Sequence, residues 1–135
     1  MKITVETNVN APIAKVWNAY TTPEDIDKWN TASDDWQTTS STVDLRVGGL
    51  FSSRMEAKDG SFGFDFAGTY TRIVPEELIE YSFGDRTAAV EFMAGENGVR
   101  VRVSFDAESQ NPVEMQRQGW QAILNNFARH VEARQ

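Results

Sequence analysis

The sequence contains no cysteine and a single histidine, His130. The first absence excludes a disulfide framework, a thiolate nucleophile, a zinc-thiolate cluster and an iron-sulfur site, and the second removes most histidine-rich catalytic and metal constellations. Neither a metal nor another cofactor is expected. Positive charge is also scarce: 13 Lys and Arg stand against 20 Asp and Glu, a formal net charge of −7. That is the wrong sign for following phosphates, so nucleic acid and anionic membrane surfaces are not expected partners. No stretch approaches the ~18 apolar residues of a membrane span, and the opening MKITVETNV alternates where a signal peptide would be continuously apolar. A cytoplasmic location without membrane insertion is the expectation.

What is present is an ordinary globular composition with one imbalance. A length of 135 residues suits one domain, read as 1–135, which would bury roughly two-thirds of its unfolded surface. Within it stand 4 Trp, 3 Tyr and 8 Phe, an excess of aromatics over acid-base specialists. That imbalance favours an apolar pocket over a reaction centre.

Lys2 to Val9 alternates polar and apolar, the period of a half-buried strand with Ile3 and Val5 inward. Apolar groups at Ile13, Val16, Trp17 and Tyr20 follow Pro12 at helical spacing, and Thr22-Pro23-Glu24-Asp25 carries the start signals of a second short helix reaching about Trp29. From Asn30 to Ser41 the chain is rich in Ser, Thr and Asp around Trp36, which reads as a loop entering a strand. Turn signals at Gly48-Gly49, Lys58-Asp59-Gly60, Pro75-Glu76-Glu77, Gly84-Asp85-Arg86 and Gly95-Glu96-Asn97-Gly98 then delimit strands near 42–47, 50–57, 63–74, 78–83, 87–94 and 99–106. Val99, Val101, Val103 and Phe105 alternate with polar residues in the last of these. After Asn111-Pro112-Val113-Glu114, read as a cap, a proline at the first helical position and a variant capping box, apolar residues at Val113, Trp120, Ile123, Leu124, Phe127 and Val131 form a stripe of about six helical turns. Strands in sequence followed by a long helix indicate an α+β fold with an antiparallel sheet. A strongly curved sheet around that helix buries both apolar faces.

The order and spacing of Asn10-Ala11-Pro12-Ile13, Val16-Trp17, Thr22-Pro23-Glu24, Trp29, Arg46-Val47-Gly48-Gly49-x-Phe51, Gly68-x-Tyr70, Ile73-x-Pro75-x-x-Leu78 and Gly119-Trp120-x-x-x-Leu124 resemble the START-like (SRPBCC) superfamily. Within it they are similar to the homologues of the activator of heat-shock protein 90 ATPase, over about residues 3 to 133. The resemblance implies a helix-grip fold: a curved antiparallel sheet of six or seven strands around a long C-terminal helix, two short helices after strand 1, and a deep cavity between sheet and helix. It also implies a superfamily that binds lipids, sterols, polyketides and other apolar molecules. Asn30 departs from it, since relatives more often place a bulky aromatic after the tryptophan.

Taken singly, each aromatic here is better explained by core packing. Taken as a set, the resemblance makes Trp29, Trp36, Phe51, Met55, Phe64, Phe66, Tyr70, Tyr81, Phe83, Phe92, Trp120 and Leu124 the candidate lining of a ligand cavity. Tyr70 and Tyr81 are the most interesting polar anchors, because a buried phenol needs a hydrogen-bond partner. Strand parity places Phe51, Ser53 and Met55 on one face and Arg54 and Glu56 on the other, so the two charges point outward if Phe51 points inward. His130, in the last turn of the helix, reads as a surface or charge-compensating group. Asp25, Asp27, Asp34 and Asp35 lack the pattern of a calcium loop and read as solvated acids. Gly48-Gly49 joins two strands and reads as a sheet bend, not a phosphate loop.

Three functions remain in view. The first is a binding protein for a small apolar or amphipathic molecule, with no catalytic residue assigned, as a monomer or weak dimer. The second, implied by the family resemblance alone, is regulation of a chaperone ATPase, although the eukaryotic activators carry a further N-terminal domain. The third is a cyclase or dehydratase of the polyketide kind, which needs a group of suitable pKa such as a buried Glu91, a tyrosine or His130.

Overall fold

The structure is a computed structural model that describes residues 1–134. The chain runs β1 (Lys2–Val9), α1 (Ile13–Thr21), α2 (Pro23–Trp29), β2 (Trp36–Val43), β3 (Leu50–Ala57), β4 (Gly63–Val74), β5 (Leu78–Phe83), β6 (Arg86–Gly95), β7 (Gly98–Asp106) and α3 (Val113–Ala133). The strands form one antiparallel sheet in the order β1-β7-β6-β5-β4-β3-β2. This is the α+β helix-grip arrangement expected from the residues. A single slip of register would turn every inward side chain to solvent, so the alternation fixes the pairing. In β7, Val99, Val101, Val103 and Phe105 are all at most 3% exposed, while Glu6, Arg100 and Arg102 form an ion-pair group on the outer face.

Two expectations are corrected. The Ser/Thr run is strand, not loop: β2 occupies Trp36–Val43, and residues 44–47 are the turn that follows it. An edge strand bonded only to β3 can be polar on both faces, and its β-branched threonines suit extended backbone, so it shows no hydrophobic alternation. The second correction concerns helix starts. Pro12 and Pro112 are the caps themselves, and Thr22 caps α2 through its carbonyl without a side-chain bond. In place of a capping box, Gln116 bonds the backbone of Glu108 and Asn111, and Glu108 accepts from the Asn111 N–H.

Register shifts in β2 at Thr38/Ser40 and in β4 at Tyr70/Arg72 mark irregularities of the kind that bend strands. The Gly48-Gly49 turn docks on the second of these, where Gly48 N–H donates to the Tyr70 carbonyl and Tyr70 N–H to the Gly49 carbonyl. The curl leaves two free edges. β1 is covered by α3, whose Arg117 and Gln121 side chains donate to the carbonyls of Thr4 and Glu6, and β2 is covered by α2. Between the helices lies the densest apolar packing. Phe127 is fully buried, with its ring centre 5.1 Å from Tyr20 and 5.0 Å from Trp29, and Phe92 meets Trp17 and Tyr20 edge-on.

Because Phe127 joins α1, α2 and α3 in one cluster, Phe127→Ala should lower unfolding free energy by about 3–5 kcal/mol. A lowered urea midpoint at unchanged slope is the expected result.

Candidate functional site

α3 lies along β1 and stands away from β3, β4 and β5. The space left between is a cavity of about 280 Å³, walled by aliphatic and aromatic groups. Of the residues expected to line it, Trp29, Phe51, Met55, Phe64, Phe66, Tyr70, Tyr81, Trp120 and Leu124 do so. β3 parity is as anticipated: Phe51, Ser53 and Met55 face the cavity, while Arg54 pairs outside with Glu56 and Asp65. Gly68 makes room for this wall. A methyl group there would lie 2.3 Å from the Ser82 carbonyl oxygen and 2.7 Å from the Phe51 ring, so only glycine lets that ring settle against β4.

Three expected residues stand elsewhere. Trp36 lies at the start of β2, where it meets Phe62 and Phe64 at ring distances of 6.0 Å and borders a second, polar depression. Phe83 sits behind the lining, against Phe66 and Trp120, and Phe92 belongs to the Trp17–Tyr20 cluster. The alternation of β6 that buries Phe92 also turns Glu91 outward, opposite Arg102, so Glu91 is not a buried acid.

Sequence reasoning did not assign Tyr20, Asn30, Thr42, Arg86 and Ile123 to the lining, where the structure places them. Tyr20 was legible only as a core position on α1. Asn30, read only as a departure from the resembled family, lies at the cavity wall next to Trp29. The β6 parity that turns Ala88, Val90 and Phe92 inward also includes Arg86, a signal that charge alone concealed.

The polar chemistry of the cavity rests on its phenols. Tyr20, Tyr70 and Tyr81 all line it, and among the described residues none of their hydroxyls has a hydrogen-bond partner in the protein. Burial pushes Tyr20 and Tyr81 well above the ordinary phenol value, and burial together with the charge of Asp44 raises Tyr70 to about 12. The other buried polar groups are satisfied: the Trp29 indole donates to the Ala19 carbonyl, and Ser53 bonds Ser41. No Asp, Glu or His lines the cavity.

The acids of α2 are not simply solvated, contrary to expectation. Asp25 pairs with His130, at 2.8 Å, and with Arg134, which fastens α2 to the end of α3. One oxygen of Asp27 is buried without a partner. His130 is thus an inter-helix tie, 11% exposed in its side chain. Among the described residues no group of three His, Asp or Glu gathers as a metal site would need, and no helix is long and apolar enough to cross a membrane.

The family model described as Activator of Hsp90 ATPase homolog 1-like protein matches residues 10–132. An AHSA1-like protein from Aeromonas hydrophila, solved by NMR, is 46% identical, with a TM-score of 0.93 over 99% of this chain and 94% of that one. A protein from Cytophaga hutchinsonii is 44% identical, with a TM-score of 0.85 over 98% and 93% of the two chains. A crystal structure from Chromobacterium violaceum is 26% identical, with a TM-score of 0.87 over 98% of both. Among curated proteins none matches the chain.

All tyrosines of the chain belong to this site. Their folded pKa values lie above the unfolded value near 10, so the unfolded chain loses its phenolic protons first. Stability from this source is full below about pH 10 and falls as pH rises through the folded values. In an alkaline titration, phenolate absorbance should stay flat until circular dichroism reports unfolding, and an earlier rise would show hydroxyls open to bulk water.

Proposed function

The chain belongs to the Activator of Hsp90 ATPase homolog 1-like family, with a START-like fold, and on that premise we propose that it binds a small amphipathic molecule in the cavity between the sheet and α3. The observation that carries this reading is a mostly apolar cavity of about 280 Å³ with three phenolic hydroxyls that no protein group satisfies. None of these hydroxyls is sealed from the cavity space, so each takes its partner from water or from a ligand acceptor. The volume equals that of about nine waters at ~30 Å³ each, so the ligand is small, on the order of a dozen non-hydrogen atoms. At the efficiencies usual for molecules of that size, affinity falls in the micromolar range.

Acid-base turnover has less support. Without a carboxylate or imidazole in the lining, the titratable candidates are phenols held neutral by burial, which are poor bases near neutral pH. Regulation of a chaperone ATPase is a second reading, favoured by the family match. An ATPase assay with the cognate heat-shock protein 90 tests it, and an unchanged turnover rate would end it.

For the cavity reading, NMR titration with fatty acids, sterols, flavonoids and quinones should shift the indole signals of Trp29 and Trp120 for at least one class. A ligand at about a hundred times its Kd should add roughly 2.7 kcal/mol of stability. Ile123→Trp, which fills the space from α3, should abolish both effects while preserving the fold. A wild-type protein unmoved by every class would sink the proposal.

A further inference from the structure

The phenols leave one charged side chain of the cavity without a role. Arg86 opens β6 and faces Phe83 across the β5–β6 hairpin. Directly opposed residues share a face of the sheet, so Arg86 begins the inward series continued by the buried Ala88, Val90 and Phe92. Its guanidinium carbon lies 4.4 Å from the centre of the Phe83 ring, and one terminal nitrogen donates to the Asp106 carbonyl at 3.2 Å. These contacts seat the fork on Phe83, at the edge of a cavity that Arg86 lines together with Tyr81, and most of its five N–H donors have no protein partner.

The guanidinium also has no acid. Among the described residues no carboxylate forms an ion pair with Arg86. Asp106, which Arg86 touches, offers it only its backbone carbonyl and turns its carboxylate to Lys2, at 3.0 Å, and to the Thr87 N–H, at 2.8 Å. On the outer face, by contrast, Arg54, Arg72, Arg100 and Arg102 each reach a carboxylate. In a chain with 20 acidic residues, an inward-facing arginine without one of them is not explained by a shortage of partners. A partly buried cation calls for a counter-charge, and a planar carboxylate matches the guanidinium fork through paired N–H···O bonds.

Building on the cavity reading above, we infer that Arg86 and Tyr81 form the polar end of the site and that its ligand is a small amphipathic carboxylate. The acid group takes the guanidinium and the phenol, and the apolar body lies against Phe66, Trp120 and Leu124. Arginine suits this place better than lysine because its charge is weakly hydrated and its fork is preorganised.

Isothermal titration with decanoate and decanamide, probes of equal chain length that differ in charge, tests the inference. Wild-type protein should bind decanoate about tenfold or more tightly than decanamide, the weight of a hydrogen bond to a charged group. Arg86→Met should erase that difference by weakening decanoate far more than decanamide, and Arg86→Lys should keep part of it. Independently of any variant, decanoate should shift the Arg86 Nε–H signal of the wild-type protein and decanamide should not. Equal affinities for the two probes, or a carboxylate preference that survives in Arg86→Met, would overturn the inference and leave the cavity reading standing. Failure of both probes to bind would overturn the inference, and the cavity reading would fall with it only if sterols, flavonoids and quinones also left the protein unmoved.

Discussion

The sheet does not close on itself, and the slot between its two free edges has to be filled. β1 and β2 are the two ends of a seven-stranded antiparallel sheet and do not pair with each other. Exposed strand edges are an aggregation hazard, and the fold covers both with helix: α3 on β1, α2 on β2. The covering of β1 is chemically specific, since Arg117 and Gln121 donate to carbonyls that a further strand would otherwise satisfy. Once α3 is committed to β1, it cannot also lie against β3, β4 and β5. The cavity follows from that asymmetry. The helices fill the interior around Phe127, and the side beyond Trp120 and Leu124 is left unfilled.

Such a space would be energetically expensive only if it were dry. At ~24 cal/mol per Å³, 280 Å³ held dry would cost about 7 kcal/mol, comparable with the whole stability of a small domain. Aromatic side chains could have collapsed to remove it, yet they are braced against one another: Trp120 stacks on Phe105 at 3.9 Å, and Phe51 packs on Tyr70 and Tyr81. Gly68 holds the same wall open from behind by admitting the Phe51 ring. Braced walls keep the space open, and the phenols and the arginine leave polar groups in it for water or a ligand to satisfy. Under the proposed binding function, a ligand displaces that water.

How much of this was legible in the sequence depended on where hydrophobic contrast was available. β7 could be read because one face is buried and the other solvated, and α3 because its stripe persists from Val113 to Val131. β2 could not, since an edge strand of serine and threonine offers no contrast to read. The cavity wall was accessible through parity on β3 and through the family resemblance, which supplied the idea of a cavity that periodicity alone does not contain. Phe83 and Phe92 show the limit of that reasoning. Both are inward on their strands, as parity requires, but whether an inward side chain meets a neighbour or a void is decided by the distant α3 and α1. The tie from His130 to Asp25 was hidden for the same reason, because its partners are separated by 105 residues.

The scarcity of positive charge acquires a different meaning once Arg86 is placed. A surface carrying net charge −7 repels polyanions at a distance, which disfavours nucleic acid and anionic membranes. Beyond about 8 Å in physiological salt, however, such repulsion is largely screened, whereas contacts within a low-dielectric cavity are not. A single carboxylate on an apolar molecule therefore meets little resistance on approach and a concentrated local attraction at the site. The acidic exterior and the inward arginine are then complementary. In the proposed reading, the first would discriminate against molecules that are mostly charge, and the second would select, among molecules that are mostly apolar, those that carry one acid.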